Sequence, residues 1–206
     1  MMINQNSNRI LVGAIEGGGT KFNCVTGYGN GDIVAKQTFP TTSPEETLAR
    51  VANFFQVGGS IYNSIKALGI AQFGPLETDR AAKKYGRVLT TVKAGWSDFD
   101  ILGFFSKILD VPIALQTDVN GAAIGEYFLG AAQGNDNFVY VTVGTGIGGG
   151  VFINGKLLND KKHPEIGHML VQHDLQKDNF PGCCPFHGNC LEGLASGTAI
   201  RLRWIL

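Results

Sequence analysis

Two glycine-rich runs, each directly after an apolar stretch, carry the clearest chemistry in this sequence. One is Glu16-Gly-Gly-Gly-Thr-Lys21, following residues 10–15; the other is Thr142-Val-Gly-Thr-Gly-Ile-Gly-Gly-Gly150, following residues 138–141. Glycine lets backbone N–H groups crowd around an anion, because no Cβ blocks the approach and positive φ is open to it. Between the runs stands Thr117-Asp-Val-Asn120, which puts a carboxylate at the end of an apolar segment. Two phosphate cradles with a carboxylate between them suit a phosphoryl donor, an acceptor hydroxyl and a base, Asp118, to take its proton. Each feature has a plainer reading as well. Glycine runs serve ordinary hairpin turns, and an Asp just before a helix serves as its cap. The recurrence of the run, with hydroxyl residues in both copies, favours phosphate binding.

A second constellation lies near the C-terminus. Cys184-x2-His187-x2-Cys190, with His168 upstream, offers two sulfurs and two nitrogens, a set suited to tetrahedral zinc. Cys183, His163 and His173 stand close by as alternative ligands, and a loose loop with free thiols is the plainer reading. Three cysteines within eight residues, beside two histidines, point in a reducing compartment to a metal before disulfides. Cys24 falls in an apolar strand pattern and reads as a small core residue.

The elements that would hold these groups can be placed from pattern. Residues 10–15, 21–26 and 33–39 read as three strands joined by glycine turns. Ser43, Pro44 and Glu46 form a helix start with a capping box, Leu48, Val51, Phe54 and Phe55 give its apolar face, and Gly58-Gly59 end it. Residues 65–73 form a buried strand closed by Gly74-Pro75. A second helix begins at Ser97 or Asp98, residues 111–116 return as a strand, and residues 120–134 make a third helix. The opening order then recurs: a strand at 138–143, the glycine run as a turn, a strand at 150–153, an Asn154-Gly155 hairpin turn and a strand at 156–158. This duplication predicts two related α/β lobes around a cleft, residues 1–119 and 120–206, each supplying one phosphate loop. A final helix is expected over residues 191–206. The second lobe then holds too few elements to cover its sheet, so the chain reads as shortened, with exposed apolar surface and weak nucleotide binding expected of it.

Composition sets outer bounds. The 206 residues are 44% hydrophobic, enough for a sizeable core, and 17 basic residues balance 17 acidic ones. With no basic stripe, neither nucleic acid nor an anionic membrane is an expected partner. The first eight residues lack the apolar stretch of a signal peptide, and no run reaches the ~18 apolar residues of a membrane span. The expectation is a soluble, cytoplasmic protein.

Taken together, five segments resemble the signatures of the ROK family of sugar kinases. They are Glu16-Gly-Gly-Gly-Thr-Lys21, Thr117-Asp-Val-Asn-Gly-Ala-Ala123, Val143-Gly-Thr-Gly-Ile-Gly-Gly-Gly150, His163-Pro-Glu-Ile-Gly-His168 and Cys184-Pro-Phe-His-Gly-Asn-Cys-Leu-Glu-Gly-Leu-Ala-Ser196. The similarity is nearest to the bacterial fructokinases of that family. It implies an actin-like, ribonuclease-H-like ATPase fold of α/β class, two lobes with a cleft, and ATP-dependent phosphorylation of a hexose, D-fructose above others. It also implies Mg²⁺ with ATP, one structural Zn²⁺ and a homodimer at full length. Asp118 would be the catalytic base. Gly17, Gly18, Gly19, Thr20 and Lys21 would form the first phosphate loop, and Thr145, Gly146 and Gly148 the second. Glu165 and Glu192 would bind sugar hydroxyls, with His168 both orienting the sugar and ligating zinc beside Cys184, His187 and Cys190. Gly74, Pro75 and the segment from Thr90 to Trp96 resemble the lining of the sugar pocket. Thr117 stands where many members carry asparagine, a feature of the fructokinase-like branch. The same family includes sugar-sensing repressors, which carry an N-terminal helix-turn-helix; residues 1–9 are too short for one.

Overall fold

The computed structural model describes residues 10–57, 65–158 and 164–205. They form two compact units divided between Gly121 and Ala122. The first contains β1 (Leu11–Gly17), β2 (Lys21–Tyr28), β3 (Ile33–Pro40), α1 (Pro44–Val57), β4 (Leu68–Gln72), α2 (Ile101–Ile108) and β5 (Ile113–Thr117). Its sheet runs β3-β2-β1-β4-β5, with β1 to β3 antiparallel and β4 and β5 continuing parallel to β1. The connections dictate this. Short turns only reverse the chain, whereas the stretches containing α1 and α2 are long enough to bring it back for a parallel strand.

Alternate residues of the central strands, Leu11 and Ile15 on β1 and Leu68 and Ile70 on β4, join Leu48, Val51 and Phe55 of α1 in one buried cluster. Trp96 is fully buried, stacked on Phe22 with centroids 5.4 Å apart and edge-on to Phe73 at 5.2 Å. Its indole N–H donates to the Thr42 carbonyl at 2.9 Å, the partner a buried indole requires. That bond ties the segment ending at Trp96 to the approach to α1.

The second unit takes in the body of α3 (Asp118–Leu129), then β6 (Phe138–Val143), β7 (Ile147–Ile153), β8 (Lys156–Leu157), a single 3₁₀ turn (Ile166–His168), α4 (Leu191–Ala195) and α5 (Gly197–Ile205). Its antiparallel sheet runs β6-β7-β8. Phe152 stacks on Tyr127 at 4.9 Å and on Phe138 at 4.8 Å, giving this sheet an aromatic anchor on α3. Asn154 and Gly155 both take positive φ, 51° and 71°, as the hairpin turn between β7 and β8 requires. The strand-turn-strand order of the first unit thus recurs in the second.

Several boundaries differ from expectation for local reasons. α2 begins at Ile101, not at Ser97 or Asp98, because Asp100 is its cap and accepts from the Gly103 N–H at 2.7 Å. Asp98 instead takes φ 61° and pairs with Lys84 at 2.8 Å. α3 starts at Asp118 and stops at Leu129, since Glu126 turns to accept the Ala131 N–H at 2.8 Å and Gly134 takes φ 78°. Ser43 accepts from the Glu46 N–H at 3.3 Å, but the Glu46 carboxylate goes to Arg50, so the capping box is one-sided. β4 and β5 each begin a few residues late, at Leu68 and Ile113. The expected final helix is broken at Ser196, whose extended backbone ends α4 and whose hydroxyl accepts from the Ala199 N–H at 3.2 Å to begin α5. Gly58-Gly59 lie outside the described residues. Among those described, no helix is long and apolar enough to cross a membrane.

Candidate functional site

In the first unit the parallel strands end in a row. Gly17, the last residue of β1, pairs with Gln72, the last of β4, and Gln72 pairs with Thr117, the last of β5. Strands are spaced by ~4.8 Å, so the first glycine turn and Asp118 leave the same sheet edge about 10 Å apart. The ends of parallel strands are where α/β sheets place their ligands. Gly17 belongs to β1 and Lys21 to β2, so the turn proper is Gly18-Gly19-Thr20. Gly18 N–H donates to Lys21 O at 2.9 Å, and Thr41 closes the turn from beneath, its hydroxyl on Gly18 O at 2.7 Å and its N–H on Thr20 O at 2.9 Å. Gly19, Thr20 and Lys21 remain exposed. Gly74 and Pro75, joined by a cis peptide, are exposed just beyond β4.

Thr117 is buried and its Oγ1 accepts the Asn120 N–H at 3.3 Å, so Thr117 fills the cap position of α3. Asp118 is the first helical residue, half-buried, with Oδ1 accepting the Val119 N–H at 2.9 Å. Sequence reasoning missed Gln72. Its side chain is fully buried beside Gly17, with neither carboxamide atom hydrogen-bonded among the described residues. A polar residue ending an otherwise apolar strand is the one signal that could have found it.

The second glycine run divides differently from expectation. Only Gly144-Thr145-Gly146 is a turn; Gly148, Gly149 and Gly150 are strand residues of β7, opposite Thr142, Val141 and Tyr140 of β6. Gly148 is thus separated from Thr145 and Gly146 by the start of a ladder. All three turn carbonyls are engaged: Gly144 O accepts the Gly197 N–H at 2.8 Å, Thr145 O the Thr198 hydroxyl at 2.8 Å, and Gly146 O the Gly144 N–H at 2.9 Å. What the turn can offer an anion is therefore its Thr145 and Gly146 N–H groups.

The Cys/His constellation comes together in the second unit. His168, Cys184, His187 and Cys190 present one ligand atom each, all within 4.8 Å of one another. Cys184 Sγ lies 3.6 Å from His168 Nδ1 and 3.8 Å from His187 Nδ1, and Cys190 Sγ lies 3.7 Å from His168 Nδ1. Zinc bonds of ~2.3 Å to sulfur and ~2.0–2.1 Å to nitrogen span tetrahedral edges of about 3.6 Å, so the donors fit one such ion. Burial, with the Cys184 thiol alongside, pushes the Cys190 thiol above its ordinary range. The alternatives separate. His173 Nε2 sits 3.0 Å from the Asp178 carbonyl, Cys183 is not among the four, and His163 lies outside the described residues. Cys24 is fully buried, and burial pushes its thiol up to about 12, as a core cysteine should behave.

Glu165 is exposed, with φ 49°, and precedes the 3₁₀ turn carrying His168. Glu192 on α4 is half-buried and spends Oε2 on the Ile147 N–H at 2.8 Å, leaving Oε1 for another partner.

The profile of the ROK family matches residues 12–205. The chain belongs to the ROK family. Among its ROK relatives, a fructokinase from Zymomonas mobilis is 46% identical over 200 residues, covering 96% of this chain and 66% of that protein. A fructokinase from Pediococcus pentosaceus is 43% identical over 194 residues, 94% of this chain and 65% of its own. A solved ROK hexokinase from Thermus thermophilus superposes with a TM-score of 0.75 at 30% identity, over 95% of this chain and 63% of that one. The ROK resemblance read from the five motifs, and its nearness to bacterial fructokinases, are borne out, as is the α/β, actin-like fold. The chain spans just under two thirds of the length of these relatives.

Proposed function

We propose that this protein is an ATP-dependent sugar kinase that converts D-fructose to fructose 6-phosphate. The observation carrying this reading is the row Gly17–Gln72–Thr117, which sets a glycine turn and a half-buried carboxylate on one sheet edge. In the reaction, Asp118 takes the proton of the 6-hydroxyl, that oxygen attacks the γ-phosphorus of ATP in line, and the bond to the leaving ADP oxygen breaks. Gly18, Gly19 and Thr20, helped by Lys21, bind phosphate in the first unit; Thr145 and Gly146 do so in the second, with Gly148 supporting the turn from β7. Mg²⁺ accompanies ATP. Glu165, the second carboxylate oxygen of Glu192 and His168 read sugar hydroxyls in the second unit, and Thr117, Gly74 and Pro75 are the sugar-binding residues of the first.

His168, Cys184, His187 and Cys190 hold a structural zinc, which fixes the backbone around Glu165 and Glu192. The reading places the protein in the cytoplasm, where such thiols stay reduced, as a homodimer at full length. The naming of these relatives as fructokinases supports fructose over other hexoses as the acceptor here. Initial rates with MgATP and fructose, glucose or mannose test this, and turnover highest on fructose is expected. Equal rates on all three would reject the sugar while leaving the kinase.

A further inference from the structure

Ile147, the residue directly after the second glycine turn, is gripped from two sides by the segments that carry metal ligands. On one side its N–H donates to Glu192 Oε2 at 2.8 Å, and Glu192 stands two residues after Cys190, the residue that caps α4. On the other, its carbonyl is packed against Gly167, the neighbour of His168, so closely that a Cβ there would overlap it. α4 is seated on the ligand loop in the same way. Cys183 N–H donates to Gly193 O at 3.0 Å, and a Cβ on Gly193 would overlap the Gly188 carbonyl and lie 3.0 Å from Cys184 Cβ. Beyond α4, Gly197 N–H and the Thr198 hydroxyl hold the carbonyls of Gly144 and Thr145, both at 2.8 Å. Four anchors therefore run from the Cys/His cluster to this turn, two to Ile147 and one each to Gly144 and Thr145.

We infer that Glu192, Gly197 and Thr198 are positioning residues for the second phosphate turn, and that the ion bound by His168, Cys184, His187 and Cys190 sets their placement. Metal occupancy then fixes the anion-binding amides of Thr145 and Gly146 before any nucleotide arrives. A turn whose carbonyls are already tied pays little ordering entropy when its amides meet a phosphate. This rests on the reading of that turn as a nucleotide site, and it gives the zinc a task beyond supporting the sugar-binding carboxylates. Thr198 is the cleanest probe, because its hydroxyl contacts the turn and no metal ligand.

The test is amide hydrogen exchange, resolved by residue, on the chain loaded with one Zn²⁺ and after its removal by chelation. Exchange at Gly144, Ile147 and Gly197, whose N–H groups are hydrogen-bonded in the anchored turn, should speed up by ~10-fold or more, while ladder amides farther along β6 and β7, at Tyr140 and Phe152, keep their protection. Thr198→Val with its zinc retained should loosen the same turn and weaken MgATP binding, and Thr198→Ser should restore both. Unchanged turn amides after zinc removal would overturn the inference. So would an equal loss along the whole sheet, or a Thr198→Val chain that behaves as wild type. The two readings fail separately: a zinc-loaded chain that does not bind MgATP rejects the nucleotide assignment, whereas the exchange data decide the clamp.

Discussion

Glu165 and Glu192 carry the same carboxylate close to the Cys/His cluster, yet their surroundings differ. Glu165 is exposed, whereas Glu192 already holds the Ile147 N–H. Losing a charge-assisted hydrogen bond to a sugar costs ~1.5–3 kcal/mol, about 10- to 100-fold in affinity. Glu165→Ala should weaken fructose binding by that much and leave the melting temperature unchanged. Glu192→Ala should lower both, since a backbone N–H at the head of β7 loses its acceptor. Calorimetric titration beside thermal melts checks the pair, and equal melting temperatures for the two variants would contradict the distinction. At this scale the sequence made the place of Asp118 at a strand end, the two glycine turns and the gathering of His168, Cys184, His187 and Cys190 legible, because each shows as particular residue types at short spacing. Glu192's second bond was not legible, since 45 positions separate it from Ile147. Gly148 was misplaced because glycine marks both a turn and a strand under close packing, and composition does not separate them.

Among the elements, the described segment between the 3₁₀ turn and Cys183 has little regular structure, and an ion pair ties it to α5. Arg203 of α5 donates to both Asp178 oxygens, at 2.6 and 2.7 Å, lies over the Phe180 ring at 4.4 Å and reaches Leu194 O at 3.2 Å. The guanidinium holds the Asp178 carboxyl down at about 2. An ordinary carboxyl titrates near ~3.9, so on acidification the unfolded chain takes up the proton first. The pair therefore contributes fully above ~pH 4, and its contribution is lost as pH falls toward 2. Thermal melts between those limits should fall less steeply for Arg203→Met than for wild type; identical slopes would show that the pair does not bear on stability. Nothing local announced this contact, because 25 residues separate the partners. Hairpin strands, by contrast, were legible from alternation and turn residues, as β1 to β3 and β6 to β8 show. Helix starts were less so: Ser97 and Asp98 were the expected caps, but Asp98 pairs with Lys84 and Asp100 caps α2.

Across the whole molecule, the duplicated strand-turn-strand order was readable because each copy needs the same alternation and the same glycine turns. The row formed by Gly17, Gln72 and Thr117 was not, since register across parallel strands depends on crossovers that leave no mark in pattern. That row is what sets the Asp118 carboxylate and the first glycine turn on one sheet edge. The most direct measurement is γ-phosphoryl transfer from MgATP to fructose by the protein and by its Asp118→Asn variant. Wild type should yield fructose 6-phosphate, and the variant should bind fructose about as well but turn over ~10²–10⁴-fold more slowly. A variant that keeps most of its turnover, or a wild type that forms no sugar phosphate, would contradict the account.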